Sequence, residues 1–220
     1  MLKAVLFDMD GVIVNTEPLH RRAYEQMFEE YNLGVSASLY ASFTGMSTLS
    51  ICKRLCEVFS LDLQPNQLAV SKRNYFKKLF ENGHDIQLID GVLDLIQHYN
   101  KNDLSLVLAS SASMSNIEMI FEKFDLNPYF KAKISGADLK ESKPNPEIFE
   151  KATRLSGHSS KHCMVIEDAT NGIQAARAAG LFCVAYEDEN SPLQDFSNAN
   201  LVVSSFKELE LEKIQNYFME

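Results

Sequence analysis

The chain has 220 residues, enough for one sizeable core plus a smaller insert, and its 30 Asp and Glu against 21 Lys and Arg give a formal net charge of -9. An acidic chain without a Lys/Arg cluster matches neither a phosphate backbone nor an anionic membrane, and no apolar run reaches the ~18 residues of a spanning helix, so neither partner is expected. Cys52, Cys56, Cys163 and Cys183 have no disulfide-framework spacing and complete no zinc set with the five histidines, which points to core thiols in a reducing, cytoplasmic setting.

The first element is the apolar run in "KAVLFDMDGVIVNTE" (3–17), short and bounded by Gly11, the pattern of a strand buried on both faces of a parallel sheet. From about Thr16 to Gln87 the spacing is helical, with Leu19, Ala23, Met27 and Tyr31 on one stripe, Leu49, Lys53 and Cys56 on another, and Pro65 as a break. After Asn102, apolar runs at 104–110, 132–136, 163–168, 181–186 and 200–205 alternate with helical patterns at 114–125, 146–156 and 171–179, before a final amphipathic helix from Phe206. Alternation of this kind predicts an α/β fold with a parallel sheet covered on both faces, and ligands gather at the carboxyl ends of such strands.

Four stretches stand at that edge. Asp8 and Asp10 close the first strand two residues apart, so they project together; like charges about 4 Å apart repel by roughly 4 kcal/mol and require a cation, a shared proton or open water. An ordinary Asp-x-Asp-Gly exit turn into solvent fits that stretch equally well. In "LASSASMSN", Ser110, Ser111, Ser113 and Ser115 precede a helix and suit either a phosphate or a simple cap. In "ESKPNPEIF", Pro144 restricts Lys143 to extended geometry, while Asn145 and Pro146 supply a cap and a first helical position. In "CMVIEDATNG", a second buried strand ends in Glu167 and Asp168; adjacent residues face opposite sides, which assigns Asp168 to the shared site and Glu167 to a supporting hydrogen bond. Carboxylates from two strands, hydroxyls and a positioned lysine together make a hard-oxygen site for Mg²⁺ and a phosphoryl group.

The ordered set DMDG (8–11), LASS (108–111), SKPNPE (142–147) and VIEDATNGI (165–173) resembles the four motifs of the haloacid dehalogenase superfamily, and the chain is most similar to its β-phosphoglucomutase-like phosphatases. The resemblance implies a Rossmann-like three-layer core (1–14 and 88–220) with an inserted all-helical cap (15–87). It further implies an aspartyl-phosphate at Asp8, with Asp10 as acid and then base. Mg²⁺ would sit at Asp8, Asp10 (through its carbonyl) and Asp168 with Glu167 supporting, and Ser110, Ser111 and Lys143 would cradle the phosphate. His20, Gly45, Thr48 and Asn116 would face the substrate, a small phosphate ester bound by a monomer. The sugar-phosphate mutases of the group carry an arginine where Thr48 stands and a lysine where Ser115 stands. Loss of both cations favours hydrolysis over a bisphosphate-handling mutase, although Arg21, Arg22, Lys72 or Arg73 are alternative cations. A catalytically silent binding protein has no need of the full acidic set.

Overall fold

The computed structural model describes residues 1–43, 46–82, 86–187 and 194–219. Six strands, β1 (Ala4–Phe7), β2 (Ser105–Ser110), β3 (Phe130–Ser135), β4 (Cys163–Glu167), β5 (Phe182–Tyr186) and β6 (Leu201–Val203), form one sheet in the order β3-β2-β1-β4-β5-β6. Every pairing is parallel. The strand order reverses direction about β1, so the crevice between the ends of β1 and its neighbours β2 and β4 is where an open parallel sheet places its ligand.

Alternation along β1 explains the two apolar layers. Val5 and Phe7 pack with Leu106, Leu108, Met164 and Ile166 on one face, whereas Ala4 and Leu6 pack with Val107, Ala109, Cys163 and Val165 on the other. The helices α5 (Val92–Lys101), α6 (Met114–Lys123), α7 (Glu147–Ser156) and α8 (Thr170–Ala178) cover these faces. α5 fell in a stretch where no helix was expected, although Val92, Leu95, Ile96 and Tyr99 bury one stripe at helical spacing. The expected final helix is broken: a 3-10 turn at Phe206–Leu209 is followed by a short α9 (Leu211–Gln215), because Glu210 between them is extended, with φ -51° and ψ 135°. α7 begins one residue later than expected, with Asn145 Oδ1 accepting the Glu147 N–H at 3.0 Å.

Between β1 and α5 lie α1 (Glu17–Glu30), α2 (Ala37–Ala41), α3 (Thr48–Val58) and α4 (Pro65–Glu81), with no strand among the described residues. They enclose a third apolar cluster around Tyr24, Met27, Phe43, Cys52, Leu55 and Leu68. The stripe expected in α3 is shifted: Ile51, Cys52 and Leu55 are buried, while Lys53 is exposed. The two connections into this helical segment run side by side, with Asn15 N–H donating to the Gln87 carbonyl at 3.1 Å and Ile89 N–H to the Ile13 carbonyl at 3.0 Å. The four cysteines are free thiols, and among the described residues no helix is long and apolar enough to cross a membrane.

Candidate active site

Asp8 directly follows β1 and is buried. Its Oδ1 accepts from Lys143 Nζ at 2.5 Å, and the same ammonium donates to Glu167 Oε1 at 2.7 Å and to the Ala109 carbonyl at 3.0 Å. An ammonium has three protons, so Lys143 is saturated by protein acceptors. Its cation also lies 4.9 Å from the Phe149 ring centroid. In this arrangement Lys143 neutralises and fixes two carboxylates rather than reaching freely into the cleft.

Glu167 is equally committed. Its Oε2 accepts the backbone N–H groups of Asp168 and Ala169, both at 2.8 Å, which ties the turn after β4 to the strand end. A Cβ at Gly172, one turn into α8, would overlap the Glu167 carboxylate, so the glycine lets the helix approach that close. Gly11 plays the matching part on the other strand: it adopts φ +86°, and a Cβ there would overlap the Asp168 carboxylate.

Oxygens of Asp8, Glu167 and Asp168 lie within 4.8 Å of one another. Three carboxylates against one ammonium leave two negative charges uncompensated, the charge of one divalent cation, and an all-oxygen donor set suits Mg²⁺. The electrostatics of the cluster agree: burial pushes the Asp8 carboxyl up to about 7 against the pull of Lys143, with Glu167 and Asp10 adding repulsion. Asp168 is likewise raised, first by burial and then by Glu167 and Asp8. These residues fit a divalent metal.

The Asp10 carboxylate lies outside that oxygen cluster, contrary to the expectation that it projects with Asp8. Its Oδ1 accepts from the Thr16 hydroxyl and meets His20 Nε2 at 3.3 Å. Burial works to raise its pKa, but the His20 and Thr16 hydrogen bonds and the Lys72 charge outweigh it and the net direction is down. Behind His20, Lys72 Nζ contacts Nδ1; while protonated it can only donate, which makes Nδ1 the acceptor and leaves Nε2–H to donate to Asp10. Lys72 is only 1% exposed, lies over the Tyr24 and Phe76 rings at 4.7 and 5.0 Å, and burial drives its pKa down to about 7.

A cleft of about 260 Å³ joins these groups to the helical segment, lined on the sheet side by Asp8, Asp10, Ser111, Lys143 and Asp168 and on the helical side by Glu17, His20, Tyr24, Tyr40, Phe43 and Thr48. Ser110 is buried beneath it, its Oγ accepting the Ala112 N–H at 3.0 Å. Asn116 is buried and is not among the residues lining the cleft. Gly45 lies outside the described residues. Sequence reasoning gave no role to Thr16 or Gly172, read Gly11 only as the turn that bounds the first strand, and treated Lys72 as one of four alternative cations. For Lys72 a signal existed: it falls on the apolar stripe Leu68, Ala69, Phe76 and Leu79 of α4, an unusual place for a lysine.

Comparison with known proteins identifies the family and the fold. Residues 5–186 match the model of the haloacid dehalogenase-like hydrolases. The chain is 30% identical to the fructose-1-phosphate phosphatase YqaB of Escherichia coli over 82% of this chain and 94% of that one. Its fold matches CbbY from Rhodobacter sphaeroides in complex with phosphate at a TM-score of 0.87, with 27% identity over 98% of this chain and 100% of that one. It also matches a β-phosphoglucomutase from Clostridium difficile at a TM-score of 0.85, with 26% identity over 99% and 97% of the two chains.

Proposed function

The chain belongs to the haloacid dehalogenase-like hydrolase family, in its β-phosphoglucomutase-like branch, and from that premise we propose that it is a Mg²⁺-dependent phosphatase of a small phosphate monoester, a sugar phosphate or similar metabolite. The observation that carries the reading is the position of Asp8: buried, at the cleft floor, with one oxygen held by Lys143 and an acidic pair from the neighbouring strand beside it. Since Oδ1 is taken by Lys143, Oδ2 is the oxygen left to attack phosphorus. The bond to the leaving oxygen breaks as Asp10 gives that oxygen a proton. Water then attacks the aspartyl-phosphate, Asp10 removes the water proton, and the Asp8–phosphorus bond breaks to release phosphate. The proton gained in the second displacement is the one given up in the next first displacement, so Asp10 returns to its starting state. Thr16 and His20 keep its carboxylate in place between the two events.

Mg²⁺ held by Asp8, Asp168 and the Asp10 carbonyl, with Glu167 fixing the turn behind, would offset the charge of the transferring phosphoryl oxygens. Ser110, Ser111 and Lys143, with backbone N–H groups at the start of α6, are assigned to the same oxygens. His20 and Thr48 are assigned to the leaving-group side, and so is Asn116, which is buried outside the cleft lining. The protein is taken as a cytoplasmic monomer acting on a diffusible ester.

A mutase reading has one observation in its favour, the contact of His20 with Asp10. Against it, Thr48 stands where an arginine would hold a second phosphate, and its hydroxyl is hydrogen-bonded to Tyr24. A panel of phosphorylated metabolites assayed for phosphate release, beside an assay of hexose-phosphate isomerisation, separates the two. Phosphate release that is abolished by chelation and exceeds isomerisation supports the phosphatase. Isomerisation outrunning release would make the protein a mutase, and no turnover with Mg²⁺ would leave a silent binding protein.

A further inference from the structure

Helix α8 opens at Thr170, just after Asp168, and its first N–H groups have an unusual set of acceptors. The N-cap is Ala169, extended at φ -114° and ψ 143°, and its methyl group can accept nothing. A helix start leaves N–H groups that a Ser, Thr, Asp or Asn cap would normally satisfy. Here two side chains from outside the helix take that part. Glu167 Oε2 accepts the N–H groups of Asp168 and Ala169, and Gln194 Oε1 accepts the Thr170 N–H at 2.8 Å. The same Gln194 oxygen accepts the Thr170 hydroxyl at 2.9 Å, and that hydroxyl in turn accepts the Asp195 N–H at 2.8 Å.

Gln194 is itself anchored. Phe196 and Ala199 pack on the apolar layer that contains Leu6, Val165 and Cys183. Asn200 exchanges two hydrogen bonds with Cys183 of β5, its Oδ1 accepting the Cys183 N–H at 2.9 Å and its own N–H donating to the Cys183 carbonyl at 2.8 Å. The stretch 194–200 therefore brackets β5 to the start of α8. Gly11 leaves room for the Asp168 carboxylate and Glu167 fixes the backbone at Asp168 and Ala169; Gln194 fixes the residue that follows. Its amide adds no charge to a cluster that already holds the carboxylates of Asp8, Glu167 and Asp168.

We infer that Gln194 is a positioning residue for the metal site: by accepting both donors of Thr170 it fixes the turn after β4, and with it the placement of the Asp168 carboxylate beside Asp8. The inference rests on the proposed metal role of Asp168 and adds to it a residue outside the four sequence motifs. Gln194 is not among the residues lining the cleft, so it acts through Asp168 rather than on the ester. Gln194 and Thr170 are both partly buried, so groups left unpaired by substitution can reach water and the fold is retained.

The probe is Mn²⁺, a cation suited to carboxylate oxygens whose paramagnetic resonance signal is lost on binding, titrated without ester into the parent, Gln194→Ala, Gln194→Glu and Thr170→Val. Loss of a residue that orients a metal ligand weakens binding by roughly 10–100-fold, and Gln194→Ala should fall in that range. Gln194→Glu keeps the accepting oxygen and should recover most of the loss. Thr170→Val keeps the N–H and loses the hydroxyl, which places its affinity between those of the parent and Gln194→Ala. In activity assays, excess Mg²⁺ should return kcat of Gln194→Ala close to the parent value while the Mg²⁺ midpoint stays raised, a split that general damage to the fold would not give. Mn²⁺ affinity unchanged in Gln194→Ala, or lost equally in Gln194→Glu, would overturn the inference and leave the phosphatase reading standing. A parent that binds no Mn²⁺ yet hydrolyses p-nitrophenyl phosphate would overturn it together with the metal site. The expected order of Mn²⁺ affinities in a parent that turns over no ester would uphold the inference and remove the phosphatase reading alone.

Discussion

Gly11 leaves the space that the Asp168 carboxylate fills, so the turn after β1 and the turn after β4 interlock there. Adding a single methyl group tests that relationship. Gly11→Ala places a Cβ at φ +86°, a strain of about 1 kcal/mol, and pushes Asp168 away. Apparent Mg²⁺ affinity should fall by roughly 10–100-fold, the usual range when a group that positions metal ligands is disturbed, while the fold persists. Titration of activity with Mg²⁺ measures it; an unchanged midpoint would mean that Asp168 does not hold the metal.

Lys143→Met removes the ammonium between Asp8 and Glu167 without emptying its volume. Two buried carboxylates are then left facing each other, and breaking a buried pair in this way costs about 3–5 kcal/mol. Urea unfolding should show that loss in the metal-free protein, and kcat/KM should fall alike for esters with unlike leaving groups. A loss confined to one ester would place Lys143 in substrate selection instead.

The parts of the fold legible in the sequence were those with one strong determinant. β1, β2, β4 and β5 are apolar runs because both sheet faces are covered, and Asp8, Ser110 and Asp168 follow from where the runs stop. α5 was not read although Val92, Leu95, Ile96 and Tyr99 carry the period, because its N-cap is Gly91 in the left-handed region rather than a hydroxyl or carboxylate residue. The face of α3 was misplaced because Leu49, Lys53 and Cys56 fit a helical i, i+4, i+7 spacing of their own, while the stripe that is buried is Ile51, Cys52 and Leu55. Contacts that depend on the helical segment lying over the sheet were out of reach: nothing local to Thr16, His20 or Lys72 says that all three converge on Asp10.

Lys72 gives a pH signature. A lysine in the unfolded chain keeps its proton up to about 10.5, whereas the buried one loses it near 7, so between those values the unfolded state binds more protons and stability rises with pH. Each unit is worth about 1.36 kcal/mol, so the penalty at pH 7 is on the order of 4 kcal/mol. Lys72→Met should therefore be more stable than the parent at pH 7, with the advantage shrinking toward pH 10.5, yet turn over more slowly because His20 loses its partner at Nδ1. Denaturant unfolding at pH 7, 8.5 and 10 measures the trend; a stability difference independent of pH would contradict it.

Ser50 and Ser142 join the helical segment to the loop that carries Lys143. Their hydroxyls are 2.9 Å apart, and Ser47 braces Ser50 at the same distance. Ser50→Ala should raise KM several-fold with stability changed by no more than about 1 kcal/mol, as for a single neutral hydrogen bond. Unaltered KM and kcat would show that this contact does not hold the segment over the cleft during turnover.

The central claim is that Asp8 is the nucleophile. Enzyme mixed with Mg²⁺ and a turned-over ester, quenched in acid within a turnover and measured by intact mass and peptide mapping, tests it most directly. A phosphoryl group on Asp8, formed and lost at least as fast as steady-state turnover and absent in Asp8→Asn, is the expected result. Turnover with no adduct at Asp8, sustained in Asp8→Asn, would contradict it.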